Sequence, residues 1–127
     1  MPEFVRSADC TRIAYECLGT GSPALVLVHG WSCDRGYWAA QLVRLSREFQ
    51  VVTVDLAGHG DSDWTKGGSY ALTEYVYDLS RLIRTLATPQ VTLIGHSMGG
   101  MVSLIYSGSF PEQVTKLVVL DGVTVLP

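Results

Sequence analysis

Val91-Thr92-Leu93-Ile94-Gly95-His96-Ser97-Met98-Gly99-Gly100 is the stretch on which the fold of this chain turns. Its first four residues form a short apolar run of the kind that makes a buried strand. From Met98 to about Ser109 the pattern is helical, and Pro111 follows. A serine between strand and helix, flanked by Gly95 and Gly99, fits the G-x-S-x-G nucleophile elbow. The turn is so tight that the residues two before and two after the serine must be small. Gly100 adds room for the helix to press on the sheet. The Ser97 hydroxyl is then lifted above the sheet edge, beside the N–H groups of a helix N-terminus. A plainer reading makes Ser97 only a helix cap; the strand before it and the helix after it favour the nucleophile.

Upstream, Ala24 to Val28 and Val51 to Val54 are two further apolar runs, ended by His29-Gly30 and by Asp55. Phe4 to Ser7 and Thr11 to Cys17 read as short strands joined by a turn at Ala8-Asp9, the second alternating with period two. Tyr37 to Phe49 carries an apolar stripe (Tyr37, Trp38, Leu42, Leu45, Phe49) and predicts a helix, with Asp34 placed to cap it. A second helix is expected from about Thr73 to Leu86, with Tyr75, Leu79, Leu82, Ile83 and Leu86 on one side. Val114 to Leu120 is the last strand. Strands alternating with helices imply an α/β fold, with a mostly parallel sheet of about six strands and flanking helices. On such a sheet His29-Gly30-Trp31 lies on the same rim as the elbow. Gly30 allows close backbone approach, and the N–H groups of Trp31 and Met98 are candidates for an oxyanion hole.

The chain has 127 residues, 47% hydrophobic and 17% charged, with a net charge of −3. This fits one domain, expected to span residues 1–127. No basic stripe points to nucleic acid or to an anionic membrane, and no apolar run approaches the roughly 20 residues of a membrane span. Met1-Pro2-Glu3-Phe4 lacks the features of a signal peptide. Cys10, Cys17 and Cys33 have no C-x-x-C spacing and read as reduced thiols, so a cytoplasmic setting is expected. No metal or cofactor is called for: His29, His59 and Cys33 lack zinc-ligand spacing. Gly19-Thr20-Gly21-Ser22-Pro23-Ala24 precedes a strand instead of opening a helix, which removes it as a dinucleotide fingerprint. The tyrosines at 70, 75 and 77 read as helix packing.

His29-Gly30-Trp31, Asp55 through Ser62 (DLAGHGDS), Gly95 through Gly100 and Phe110-Pro111-Glu112-Gln113-Val114 together resemble the α/β-hydrolase superfamily, esterase- and lipase-like members in particular. The resemblance implies a Ser97 nucleophile, an oxyanion hole at Trp31 and Met98, and a small-molecule carboxylic ester as substrate. Ser rather than Asp at 97 separates the chain from the dehalogenases of that superfamily. It also implies that the chain matches only the N-terminal half of such proteins, a truncated core. In that family the chain order is Ser, then acid, then His, but His29, His59 and His96 all precede Ser97. Asp121 stands where a minority of relatives carry the acid. His29 and His59, on rim loops, are the candidate bases, although in relatives such histidines are structural; His96 adjoins the serine but should leave the elbow in another direction. Two readings stay open: a serine ester hydrolase, and a catalytically incomplete half-hydrolase that lacks the triad His and is a binding or structural protein or a fragment. The apolar strand 114–120, with only Lys116 to guard it, predicts a homodimer through an open sheet edge.

Overall fold

Six strands form a single sheet in the computed structural model, which describes residues 1–122. They are β1 (Glu3–Arg6), β2 (Arg12–Leu18), β3 (Ala24–Val28), β4 (Val51–Val54), β5 (Val91–His96) and β6 (Val114–Leu120), in spatial order β1-β2-β4-β3-β5-β6. Strands β4, β3, β5 and β6 run parallel, while β1 and β2 are antiparallel additions at one side. The expected α/β architecture is therefore present. The expected limit at Pro127 lies outside the described residues.

Alternation along the strands divides the core in two. Val26, Val28, Val52, Val54 and Leu93 pack under α2 (Leu72–Thr85) and α3 (Met98–Ser109). Leu27 and Val51 face the other way, against Trp38 and Leu42. Leu42 belongs to α1 (Ala39–Leu45), which is shorter than the apolar stripe suggested. A 3₁₀ turn over Arg35–Trp38 precedes it, with the Asp34 side chain accepting from the Gly36 N–H. The tighter 3₁₀ winding changes the phase of the stripe. Trp38 and Leu42 are buried as expected, whereas Tyr37 and Phe49 face outward. On α2 the predicted face (Tyr75, Leu79, Leu82, Ile83) is buried, and Asp78 is buried with it.

The parallel strands place the C-terminal ends of β3, β4 and β5 on one rim. That rim carries residues 29–33, 55–62 and the Ser97 turn.

Candidate active site

Ser97 occupies the turn between β5 and α3 at φ 53°, ψ −120°, a conformation that L-residues rarely adopt. The glycines explain how the chain tolerates it. A Cβ on Gly95 would lie 2.3 Å from the Gly99 carbonyl oxygen, and one on Gly99 would lie 2.2 Å from that of Val28. A Cβ on Gly30 would come within 3.1 Å of the Ser97 Cβ, so the β3 loop passes directly beside the serine. Backbone bonds hold the turn: the Ser97 N–H donates to Leu120 O at 3.0 Å, and the Ser97 carbonyl accepts from Gly100 and Met101. The Met98 N–H opens α3 and has no intrahelical acceptor. Among the described residues, neither it nor the Trp31 N–H donates to another loop or side chain. Two donors on adjoining loops are thus unspent at the serine.

The three histidines have different surroundings. His29 is fully buried; its Nε2 accepts the Leu56 N–H at 3.0 Å, so its Nδ1 carries the proton and donates to Gly30 O at 2.7 Å. Burial pushes its pKa below the ordinary histidine value, against the opposing effect of the Gly30 bond. His59 is held in the same way: Nε2 accepts from the Ser32 N–H at 3.1 Å and Nδ1 donates to Ala57 O at 2.9 Å. The two rings lie 5.0 Å apart, and Trp31 sits edge-on to His59 at 5.3 Å. Both rings brace loop against loop, and neither keeps a nitrogen free to take the Ser97 proton. His96 stacks on Tyr37 at 4.7 Å, with its Nδ1 buried and unpartnered. Asp121 follows β6 directly, exposed and at φ 50°, beside the strand end that bonds Ser97.

A charge cluster that sequence reasoning missed fixes the rim from behind. Asp55 is fully buried and accepts from the N–H groups of Arg35 (2.6 Å) and Asp61 (2.9 Å). The Arg35 guanidinium also pairs with Asp55, with Glu16 at 2.9 Å and with Asp61 at 3.0 Å. Burial opposes the charge on Arg35, but Glu16, Asp61 and Asp55 together raise its pKa above the ordinary value. The 55–63 loop is clamped to β2 as well. Asp55 N–H donates to Ala14 O, Asp63 N–H to Arg12 O, and Ser62 Oγ links the Asp55 carbonyl (2.6 Å) to the Ala14 N–H (2.8 Å). Arg12 and Asp63 complete the clamp with a two-pronged ion pair. The advance signal was the 55–62 motif, which holds Asp55 and Asp61 but does not name Arg35 as their partner.

Beside the elbow, Trp31, Ser32, Gly58, His59, Trp64 and Tyr70 line a cleft of about 410 Å³. Trp31 and Trp64 are 59% and 80% exposed. Ser97 is not in the lining; Gly30-Trp31 joins the two. Tyr70 therefore walls a cavity, Tyr75 is buried in the core as expected, and Tyr77 faces outward. Among the described residues no group of His, Cys, Asp and Glu is placed to hold a metal ion. The cysteines are free, and no described helix is long and apolar enough to cross a membrane.

Residues 23–127 match the family model described as alpha/beta hydrolase fold. A serine hydrolase-like protein of Danio rerio is 37% identical over 108 residues, 84% of this chain and 33% of that one. A 2-(acetamidomethylene)succinate hydrolase of Mesorhizobium japonicum is 34% identical over 117 residues, 91% of this chain and 42% of that one. The solved structure of an esterase from Exiguobacterium antarcticum superposes with TM-score 0.89 at 32% identity, covering 96% of this chain and 46% of its own. The chain thus spans less than half the length of each of these relatives.

Proposed function

Because the chain belongs to the alpha/beta hydrolase fold family, we propose that it carries the nucleophilic half of a serine hydrolase acting on small carboxylic esters. The observation behind this is the φ 53°, ψ −120° conformation of Ser97 at a glycine-walled turn between β5 and α3. Backbone strain at a hydroxyl-bearing residue is typical of a functional position. Ser97 Oγ attacks the ester carbonyl and forms an acyl-enzyme, the alcohol leaves with a proton, and water then releases the acid. The Trp31 and Met98 N–H groups receive the developing oxyanion. The aromatic cleft takes the apolar part of the substrate, and Asp121 is the candidate acid. An esterase among the structural relatives supports the ester class. The proposal gives no base role to His29 or His59, whose ring nitrogens already bond backbone.

That last point favours a second reading, in which the chain binds carbonyl compounds without turning them over. A fluorophosphonate probe and 4-nitrophenyl acetate separate the two. The hydrolase reading expects Ser97-dependent labelling and Ser97-dependent ester release, both lost in Ser97→Ala. Neither activity above the Ser97→Ala background would end it.

The same proposal extends to association. Strand β6 pairs on one side with β5 and exposes Val118, Val119 and Leu120. Such an edge, with Lys116 as its only charge, suits a homodimer about a twofold axis. Light scattering that shows a stable monomer at micromolar concentration would overturn it.

A further inference from the structure

A second cavity, of about 220 Å³, opens where the β1–β2 turn, the 65–69 loop and the first half of α2 meet. Ser7, Asp9, Thr65, Glu74, Tyr77 and Asp78 are in its lining, and it shares no lining residue with the aromatic cleft. Asp78 is only 7% exposed, yet among the described residues its carboxylate accepts no hydrogen bond and meets no arginine or lysine. Leaving a buried carboxylate without a partner is strongly unfavourable. Thr65 Oγ1, in the same lining, is buried and unpartnered, while the Asp78 carboxylate meets the cavity it helps to line.

The surrounding groups share one sign of charge. Asp9 is oriented by Ser7 Oγ (2.6 Å) and by the N–H groups of Thr11 and Lys66, bonds that position it without neutralising it. Burial first, then the charges of Asp9 and Glu74, push the Asp78 carboxyl up to about 7. Tyr77 contributes an exposed aromatic ring. Carboxylates around a buried acceptor, with an aromatic wall, are the chemistry that recognises an alkylated cation. A metal ion fits less well, since among the described residues no three His, Cys, Asp or Glu side chains are placed to hold one. At about 220 Å³ the space suits a ligand below ordinary drug size.

We propose that this cavity binds a small organic ammonium ion, with its charge on Asp78 between Asp9 and Glu74 and its alkyl portion against Tyr77. This site does not depend on Ser97 chemistry. It does share a loop with the cleft, because the Thr65 N–H donates to the Tyr70 hydroxyl at 3.1 Å. An occupant at Thr65 therefore bears on Tyr70 and Trp64, two walls of the cleft.

The test is titration of the ¹⁵N-labelled chain with n-butylammonium chloride at pH 8, with sodium chloride at equal ionic strength and n-butanol as controls. Saturable shifts are expected at residues 7–9, 65–69 and 74–78, and absent with either control. Asp78→Asn should weaken binding about tenfold or more. Tyr77→Ala and Glu74→Gln, at exposed positions, should weaken it less, while Ser97→Ala should leave it unchanged. Equal shifts with sodium chloride or butanol would overturn the site. So would unchanged affinity in both Asp78→Asn and Glu74→Gln.

Discussion

Replacing Asp78 by Asn should make the protein more stable, and by an amount that depends on pH. The carboxyl is held neutral up to about pH 7, against an ordinary value of 3.8, by burial and by the neighbouring Asp9 and Glu74 charges. A folded-state value raised above the unfolded one contributes stability that is complete below pH 3.8 and is lost as pH rises through 7. At 1.36 kcal/mol per pH unit, the wild type forfeits up to about 4 kcal/mol between pH 4 and pH 8 through this one group. Asn is of the same size and does not ionise. In urea unfolding at pH 5, 6, 7 and 8, Asp78→Asn should therefore gain on the wild type with each step and level off near pH 8. Glu74→Gln, which removes one of the two raising charges, should narrow the gap. A stability difference that stays flat with pH, or an Asn variant less stable at pH 8, would refute the reasoning.

Gly99→Ala should abolish cooperative folding or cost about 3 kcal/mol or more, since its Cβ would overlap the Val28 and His29 carbonyls; a thermal melt followed by circular dichroism decides it. Arg35→Met strands the buried Asp55 carboxylate and should destabilise by about 3–5 kcal/mol, read by urea unfolding. His29 is buried neutral with a depressed pKa, so stability present above about pH 6.5 should fall as pH drops below it. His29→Gln should flatten that acid limb.

Much of the fold was readable because the elbow is a local problem. Gly95, Ser97 and Gly99 constrain one another within five residues, and the short apolar run before them reads as a strand. The helix after Asp34 was less readable: its first turn is 3₁₀, and a period of three displaces Tyr37 from the stripe that Trp38 and Leu42 share. Asp78 falls one helical turn from Tyr75 and so lies on the inner face, but a carboxylate there reads as solvated until the cavity is seen. His29 and His59 read in sequence as candidate bases with a structural role as the alternative, and sequence could not name their partners, which are backbone groups of loops up to 27 residues distant. The Arg35 cluster joins three segments and leaves no periodic trace.

The clamp between β2 and the 55–63 loop bears on where this molecule can be divided. The region matched to the family begins at residue 23, whereas Arg12 and Ala14 lie before it and hold Asp55, Ser62 and Asp63. A chain trimmed to the matched region would keep every residue on the serine's rim and lose their splint. The Asp55 and Ser62 partners would go first, then the setting of His59, then the Ser32 N–H beside Trp31. The hairpin on the far side of the sheet from Ser97 is thus a gauge block for the rim, and excision experiments should keep the N-terminal strands with it.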